Sequence, residues 1–172
     1  MPALTRRRFV AALAAAPVLA PARERESRVL RFEHLHTGER LEVEYFAGGR
    51  YQPDALAAVN HLLRDFRNGE VGAMDPALLD LLHALRAQTG SRQPYEIISG
   101  YRSPATNRML HERSSGVASQ SLHLTGQAID IRVVDVPLAQ LRQAALSLQR
   151  GGVGFYPGSN FVHVDTGRVR AW

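Results

Sequence analysis

The sequence contains no cysteine. That excludes disulfides, thiol nucleophiles and cysteine-ligated metal, so any metal ion must be held by His, Asp or Glu. It contains no lysine either: all 21 basic residues are arginine. Aromatic residues make up only 7% of the chain, and no basic stripe with interleaved aromatics is present. A nucleic-acid partner is therefore not expected. No apolar run approaches the ~18 residues that a membrane-spanning helix needs. The formal net charge is +5, but Arg6, Arg7 and Arg8 sit in an opening segment without acids, which leaves about +2 for the remainder. There is no internal repeat and no low-complexity segment.

What is present fits one compact domain: 172 residues with 45% hydrophobic content. The first 22 residues read as an export signal. Arg6-Arg7-Arg8 gives a charged start, Val10 to Ala20 an alanine-rich apolar stretch, and Ala20-Pro21-Ala22 a small-x-small cleavage site. The paired arginines before Phe9 resemble the twin-arginine type, which exports folded proteins. The expected location is the periplasm or cell envelope. Residues 23–28 read as a charged tether, and residues 29–172 as the folded domain.

Periodicity organises that domain. Val29–Leu35 and Arg40–Phe46 read as strands around a hairpin turn at His36-Thr37-Gly38-Glu39. Pro53 opens a helix whose stripe of Leu56, Val59, Leu62, Leu63 and Phe66 predicts that it continues to Asn68-Gly69. Asp75-Pro76 is an N-cap followed by a first-turn proline, and that helix runs to Gly90. Tyr95–Ser99 is a short strand. A long irregular stretch from Gly100 to about Gly126 holds one short helix near Ala105–His111. Ala128–Val134 is a strand, Pro137–Arg150 a helix, and Val153–Tyr156 and Phe161–Asp165 two closing strands. The expected class is α+β, with helices packed on a small antiparallel sheet.

Polar residues concentrate in the irregular stretch, where a long loop inside a compact domain signals function. It begins with Ser99-Gly100-Tyr101-Arg102-Ser103 and ends with Ser121-Leu122-His123-Leu124-Thr125-Gly126-Gln127-Ala128-Ile129-Asp130. Phe161-Val162-His163-Val164-Asp165 follows later. Side chains alternate across a strand. Asp130 therefore lies opposite Ile129 and Ile131, and His163 opposite Val162 and Val164. With the apolar faces in the core, Asp130 and His163 point to one cleft, and His123 arrives from the loop. Two imidazoles and a carboxylate suit catalytic Zn²⁺, which keeps its fourth position for water. Asp165 is the nearest carboxylate on the same face and is read as the general base, with His111 and Glu112 from the irregular stretch as weaker candidates. Support of His163, or pairing with Arg168, is its alternative role. His34 and His36 flank the hairpin turn and read as surface residues, with metal binding at their spacing as the alternative.

Ser121-x-His123-x-x-Gly126-x-Ala128-x-Asp130, joined to the later His163, resembles the zinc motif of the D-alanyl-D-alanine metallopeptidase and hedgehog-like superfamily. The element Ser99–Ser103 occurs in the same group. Leu35–Glu39, Gly152–Tyr156 and the ending from Phe161 to Arg170 resemble murein endopeptidases of the MepK type. The resemblance covers about Val29 to Trp172. It implies one zinc ion held by His123, Asp130 and His163. It also implies Arg102 on the developing oxyanion or a substrate carboxylate, and substrate contacts at Ser103, Ser121 and Gln127. Many relatives place a base a few residues before the last ligand, where this chain has Ser159 and Asn160. The implied activity is hydrolysis of peptide cross-links in peptidoglycan, including 3-3 links at meso-diaminopimelate, by a monomer acting on stem peptides. The alternatives are a D-alanyl-D-alanine carboxypeptidase and a non-catalytic zinc-stabilised module that binds the cell wall.

Overall fold

The computed structural model describes residues 26–113 and 118–172. The export signal expected over residues 1–22 lies outside that range. The tether is shorter than expected, because Ser27 and Arg28 already pair with Ala47 and Phe46. The first strand, β1 (Ser27–His34), alternates so that Leu30, Phe32 and His34 are buried. His34 is thus a core residue, whereas the sequence suggests a surface one. Strand β2 (Arg40–Ala47) returns antiparallel to β1, and β3 (Arg50–Tyr51) extends that edge.

Helix α1 (Pro53–Leu62) opens on proline, whose fixed φ and missing N–H cost nothing in a first turn. It stops at Leu62 rather than at Asn68-Gly69. Asp65 turns inward there and accepts N–H groups from Ser103 at 2.9 Å and Arg67 at 3.1 Å. Phe66 leaves the helical stripe and stacks on His36, with ring centroids 4.0 Å apart. Helix α2 (Pro76–Thr89) follows the expected rules. Asp75 caps it by accepting from the Ala77 N–H at 2.9 Å, and it ends at Gly90. Its leucines 78, 79, 82 and 85 are completely buried.

Then come β4 (Tyr95–Ser99), α3 (Pro104–Arg113), a 3₁₀ turn (Leu122–Thr125), β5 (Ala128–Arg132), α4 (Leu138–Leu148), β6 (Gly152–Tyr156), β7 (Phe161–Asp165) and β8 (Arg170–Ala171). The class is α+β, as expected. The sheet differs in being neither small nor wholly antiparallel. Its eight strands run β3-β2-β1-β4-β5-β7-β6-β8, and the pairs β1–β4 and β6–β8 are parallel. Parallel pairing needs a crossover, which α1 and α2 provide between the N-terminal hairpin and β4.

The helices α1, α2 and α4 pack on β2, on β1, and on β6 and β7, and α2 touches α4. Ile97, Ile129, Ile131, Val162 and Val164 join the α2 leucines in one core. Each such side chain contributes about 1.5–3 kcal/mol on leaving water. Asp130 and His163 alternate with those residues and fall on the other side of the central strands. Among the described residues, no helix is long and apolar enough to cross a membrane.

Candidate metal centre

Asp130 and His163 face each other across the paired strands β5 and β7. Both are buried, at 6% and 8% exposure. His123 reaches them from the 3₁₀ turn, which is braced at both ends. At its start, Ser121 Oγ accepts from the His123 N–H at 3.4 Å. At its end, Gly126 adopts φ +68°, and a Cβ there would lie 2.0 Å from the Ala73 carbonyl oxygen. Only glycine meets both demands. The Asp75 N–H donates to the Gly126 carbonyl at 3.0 Å, so the cap of α2 also supports the turn.

The three side chains converge. His163 Nδ1 is 2.9 Å from Asp130 Oδ1, and His123 Nε2 is 3.4 Å from the same oxygen and 3.3 Å from His163 Nδ1. Their outer nitrogens are committed elsewhere. His123 Nδ1 lies 2.7 Å from the Gly100 carbonyl oxygen, which can only accept, so Nδ1 carries the proton. His163 Nε2 lies 3.2 Å from Asp165 Oδ2 and donates to it. The lone pairs of His123 Nε2, His163 Nδ1 and Asp130 Oδ1 therefore point at one another. Three acceptors in contact require a cation, either a shared proton or a metal ion.

The electrostatics agree. Burial by itself raises the Asp130 pKa, but attraction to His123 and hydrogen bonds with both imidazoles hold it far below the usual carboxylate range. Burial lowers the His163 pKa, and hydrogen bonds with Asp130 and Asp165 more than reverse that. All three donor atoms lie within 4.8 Å of one another. They open on a cleft of about 590 Å³. Imidazoles whose second nitrogens are fixed by a carbonyl and a carboxylate suit metal ligation. The residues present fit a metal ion.

Over residues 22–172 the chain matches the family described as peptidoglycan L,D-endopeptidase MepK. The chain belongs to this family. It is 45% identical over 162 residues to the peptidoglycan L,D-endopeptidase MepK of Escherichia coli K12, covering 94% of this chain and 89% of that protein. It is 44% identical over 156 residues to a probable MepK of Haemophilus influenzae, covering 90% and 84%. Among solved structures, the L-Ala D-Glu endopeptidase ChiX of Serratia marcescens overlaps 45% of this chain and 62% of its own, at 27% identity and a TM-score of 0.35.

Other residues expected at the site fall in different places. Asp165 does not project into the cleft as a free carboxylate. It is completely buried. Its Oδ1 accepts from the N–H groups of Gly152 at 3.0 Å and Gly167 at 2.8 Å, and its Oδ2 from Arg170 Nη2 at 2.7 Å as well as from His163. Burial alone raises its pKa, but these partners hold it far below the usual range. A carboxylate so engaged is a poor proton acceptor, which argues against Asp165 as the general base and for its alternative role as support of His163. Its cationic partner is Arg170, not Arg168.

Ser103 is also not a cleft residue. It is completely buried. Its Oγ accepts from the Thr106 N–H at 3.1 Å, inside the first turn of α3, and from Asn68 Nδ2 at 2.9 Å. Gln127 takes a hydrogen bond from Thr125 Oγ1 at 2.8 Å and does not line the cleft. Ser121 and Arg102 do line it. Arg102 Nη1 meets Asn107 Oδ1 at 3.4 Å, and its Nε has no partner among the described residues. Burial pulls its pKa down. Among the described residues it makes no ion pair, so its charge is available to an anion in the cleft.

Residues that sequence reasoning passes over complete the site. Asp65 pins the Arg102 loop through the Ser103 N–H. Asn107 Nδ2 donates to the carbonyls of Ala118 and Ser119 at 3.2 and 3.3 Å, tying down the far end of the loop. Tyr156, Phe161 and Trp172 form an aromatic wall of the cleft. The MepK-like ending from Phe161 to Arg170 carried a signal for Arg170. Nothing local marked Asp65 or Asn107.

Proposed function

We propose that this chain is a zinc-dependent peptidoglycan endopeptidase that hydrolyses peptide cross-links, including 3-3 links at meso-diaminopimelate. The observation that carries the reading is the contact of three lone pairs, from His123 Nε2, Asp130 Oδ1 and His163 Nδ1, at the floor of a cleft. Family membership supplies the substrate class. Those three residues hold the metal. When bound, zinc lowers the pKa of its water toward ~7 and polarises a carbonyl.

The chain's own groups do the rest. Asp165 keeps the His163 Nε2 protonated, so Nδ1 faces inward. Gly100 does the same for His123. Arg102 offers a fixed positive charge to the oxyanion or to a substrate carboxylate. Ser121 caps the ligand turn and presents its hydroxyl at the cleft rim. Among the described residues lining the cleft, Asp130 has the only carboxylate side chain. We read the chain as a monomer exported by the twin-arginine-type signal at residues 1–22 to the periplasm.

The test is digestion of defined, cross-linked muropeptide dimers, with products read by mass spectrometry. Parallel samples contain chelator, restored zinc, or His163→Ala. Dimers split to monomers only with zinc and intact His163 is the expected result, and the product masses identify the bond. Loss of terminal alanine alone makes the protein a carboxypeptidase. Zinc binding without any cleavage makes it a binding module.

A further inference from the structure

Four side chains close a ring that includes His163. His163 Nε2 meets Asp165 Oδ2 at 3.2 Å, and Asp165 Oδ2 accepts from Arg170 Nη2 at 2.7 Å. The Arg170 guanidinium lies 4.9 Å from the centroid of the Trp172 ring. The Trp172 ring returns to His163, with centroids 5.3 Å apart and planes tilted by 50°.

Trp172 is held in place although it is 46% exposed. Its N–H donates to the Val153 carbonyl at 3.2 Å, and its main-chain oxygen accepts from the Phe155 N–H at 3.0 Å. Its Nε1 donates to the Tyr156 hydroxyl at 2.7 Å. Beneath the indole lies Gly154. A Cβ there would come within 2.7, 2.8 and 2.9 Å of three indole atoms. The Gly154 backbone is not in the left-handed region, so the chain's conformation does not demand glycine here. The indole does.

We propose that Trp172 is a positioning residue. The notch at Gly154 admits its indole, which presses on the His163 ring and, through Arg170 and Asp165, fixes the direction of His163 Nδ1. This rests on the metal-centre reading above. The flanking imidazole face and the guanidinium both suit an aromatic surface. The effect reaches the cleft through a ligand rather than through the substrate.

The experiment uses the whole protein as wild type, Trp172→Ala, Trp172→Phe, Gly154→Ala and the double variant Gly154→Ala/Trp172→Ala. Zinc affinity is measured by competition with a chromophoric chelator, the ligand field by the visible spectrum of cobalt-loaded protein, and kcat and KM separately on muropeptide dimers. Trp172→Ala weakens zinc by about tenfold, the lower end of what outer-shell changes cost, and shifts the cobalt spectrum. Gly154→Ala does the same, and Trp172→Phe recovers most of the affinity. The double variant is no worse than Trp172→Ala, because the displaced indole is gone. Wild-type zinc affinity and cobalt spectrum in Trp172→Ala overturn the proposal, and a rise in KM alone makes the ring a substrate wall. Additive losses in the double variant overturn the notch. If Gly154→Ala does not fold, the two Trp172 variants decide. A wild type that binds no zinc through His123 and His163 defeats the metal-centre reading itself, which separates the two failures.

Discussion

Replacing Asp165 separates positioning from proton transfer. Asp165 Oδ1 accepts from two backbone N–H groups and from Arg170 Nη1, while Oδ2 accepts from Arg170 Nη2 and His163. Asp165→Ala strands the Gly152 and Gly167 donors in a buried site, at about 1–3 kcal/mol each. It also strips Arg170 of its partner, but that side chain is 32% exposed, and water recovers much of the loss. The expected destabilisation is about 3–5 kcal/mol. Asp165→Asn is the sharper probe, because it keeps an oxygen for the backbone donors. Its amide then faces Arg170 Nη2 and His163 Nε2 with a donor, while the retained oxygen still accepts from Arg170 Nη1. His163 must flip to the Nδ1–H tautomer to relieve the clash, and Nδ1 is the nitrogen that faces Asp130. The expected result is a loss of zinc affinity of about 10–100-fold, with kcat largely recovered at saturating zinc. The assays are chelator competition and turnover of cross-linked dimers across a zinc titration. If Asp165→Asn binds zinc as tightly as wild type while kcat falls by the ~10²–10⁴ expected for a lost general base, the reasoning fails and Asp165 is the base.

Arg102→Lys keeps the charge but loses the planar fork; kcat/KM should fall about 10–100-fold with zinc affinity unchanged, since Arg102 supplies no donor to the centre. Gly126→Ala should destabilise the fold by more than the ~1–2 kcal/mol of a left-handed residue, because its Cβ also meets the Ala73 carbonyl; chemical denaturation measures this, and a near-neutral result refutes the packing account. Burial raises the Asp65 pKa, and hydrogen bonds from Thr106, Ser103 and Arg67 lower it overall. Its folded value thus lies below the unfolded ~3.9, and its stabilisation is present above that pH and lost as pH falls through the folded value. Asp65→Asn should flatten the acid limb of denaturation midpoints measured from pH 6 to 3. His163 has the opposite sign. Its pKa is raised, so in metal-free protein its contribution is full below ~6.5 and lost as pH rises through the folded value; saturating zinc should abolish that alkaline loss.

The sequence alone determined the local grammar of this protein. Alternation in Ala128–Asp130 and Phe161–Asp165 was enough to put Asp130 and His163 on one face, because the period of a strand is fixed by its backbone. The cap at Asp75, the leucine stripe of α2 and the spacing from His123 to Asp130 were equally legible. The tertiary structure decided what depends on partners distant in the chain. Helix α1 ends at Leu62 because Asp65 finds the Ser103 N–H, a contact across 38 residues. The sheet is mixed because β4 pairs with β1 and β8 with β6, and no local pattern encodes which strand a strand will meet. Ser103 and Asp165 looked like site residues by type and position. Their burial and hydrogen bonds made one a helix cap and the other a brace for His163. A polar side chain's role is set by which groups surround it, and the chain order does not give those groups.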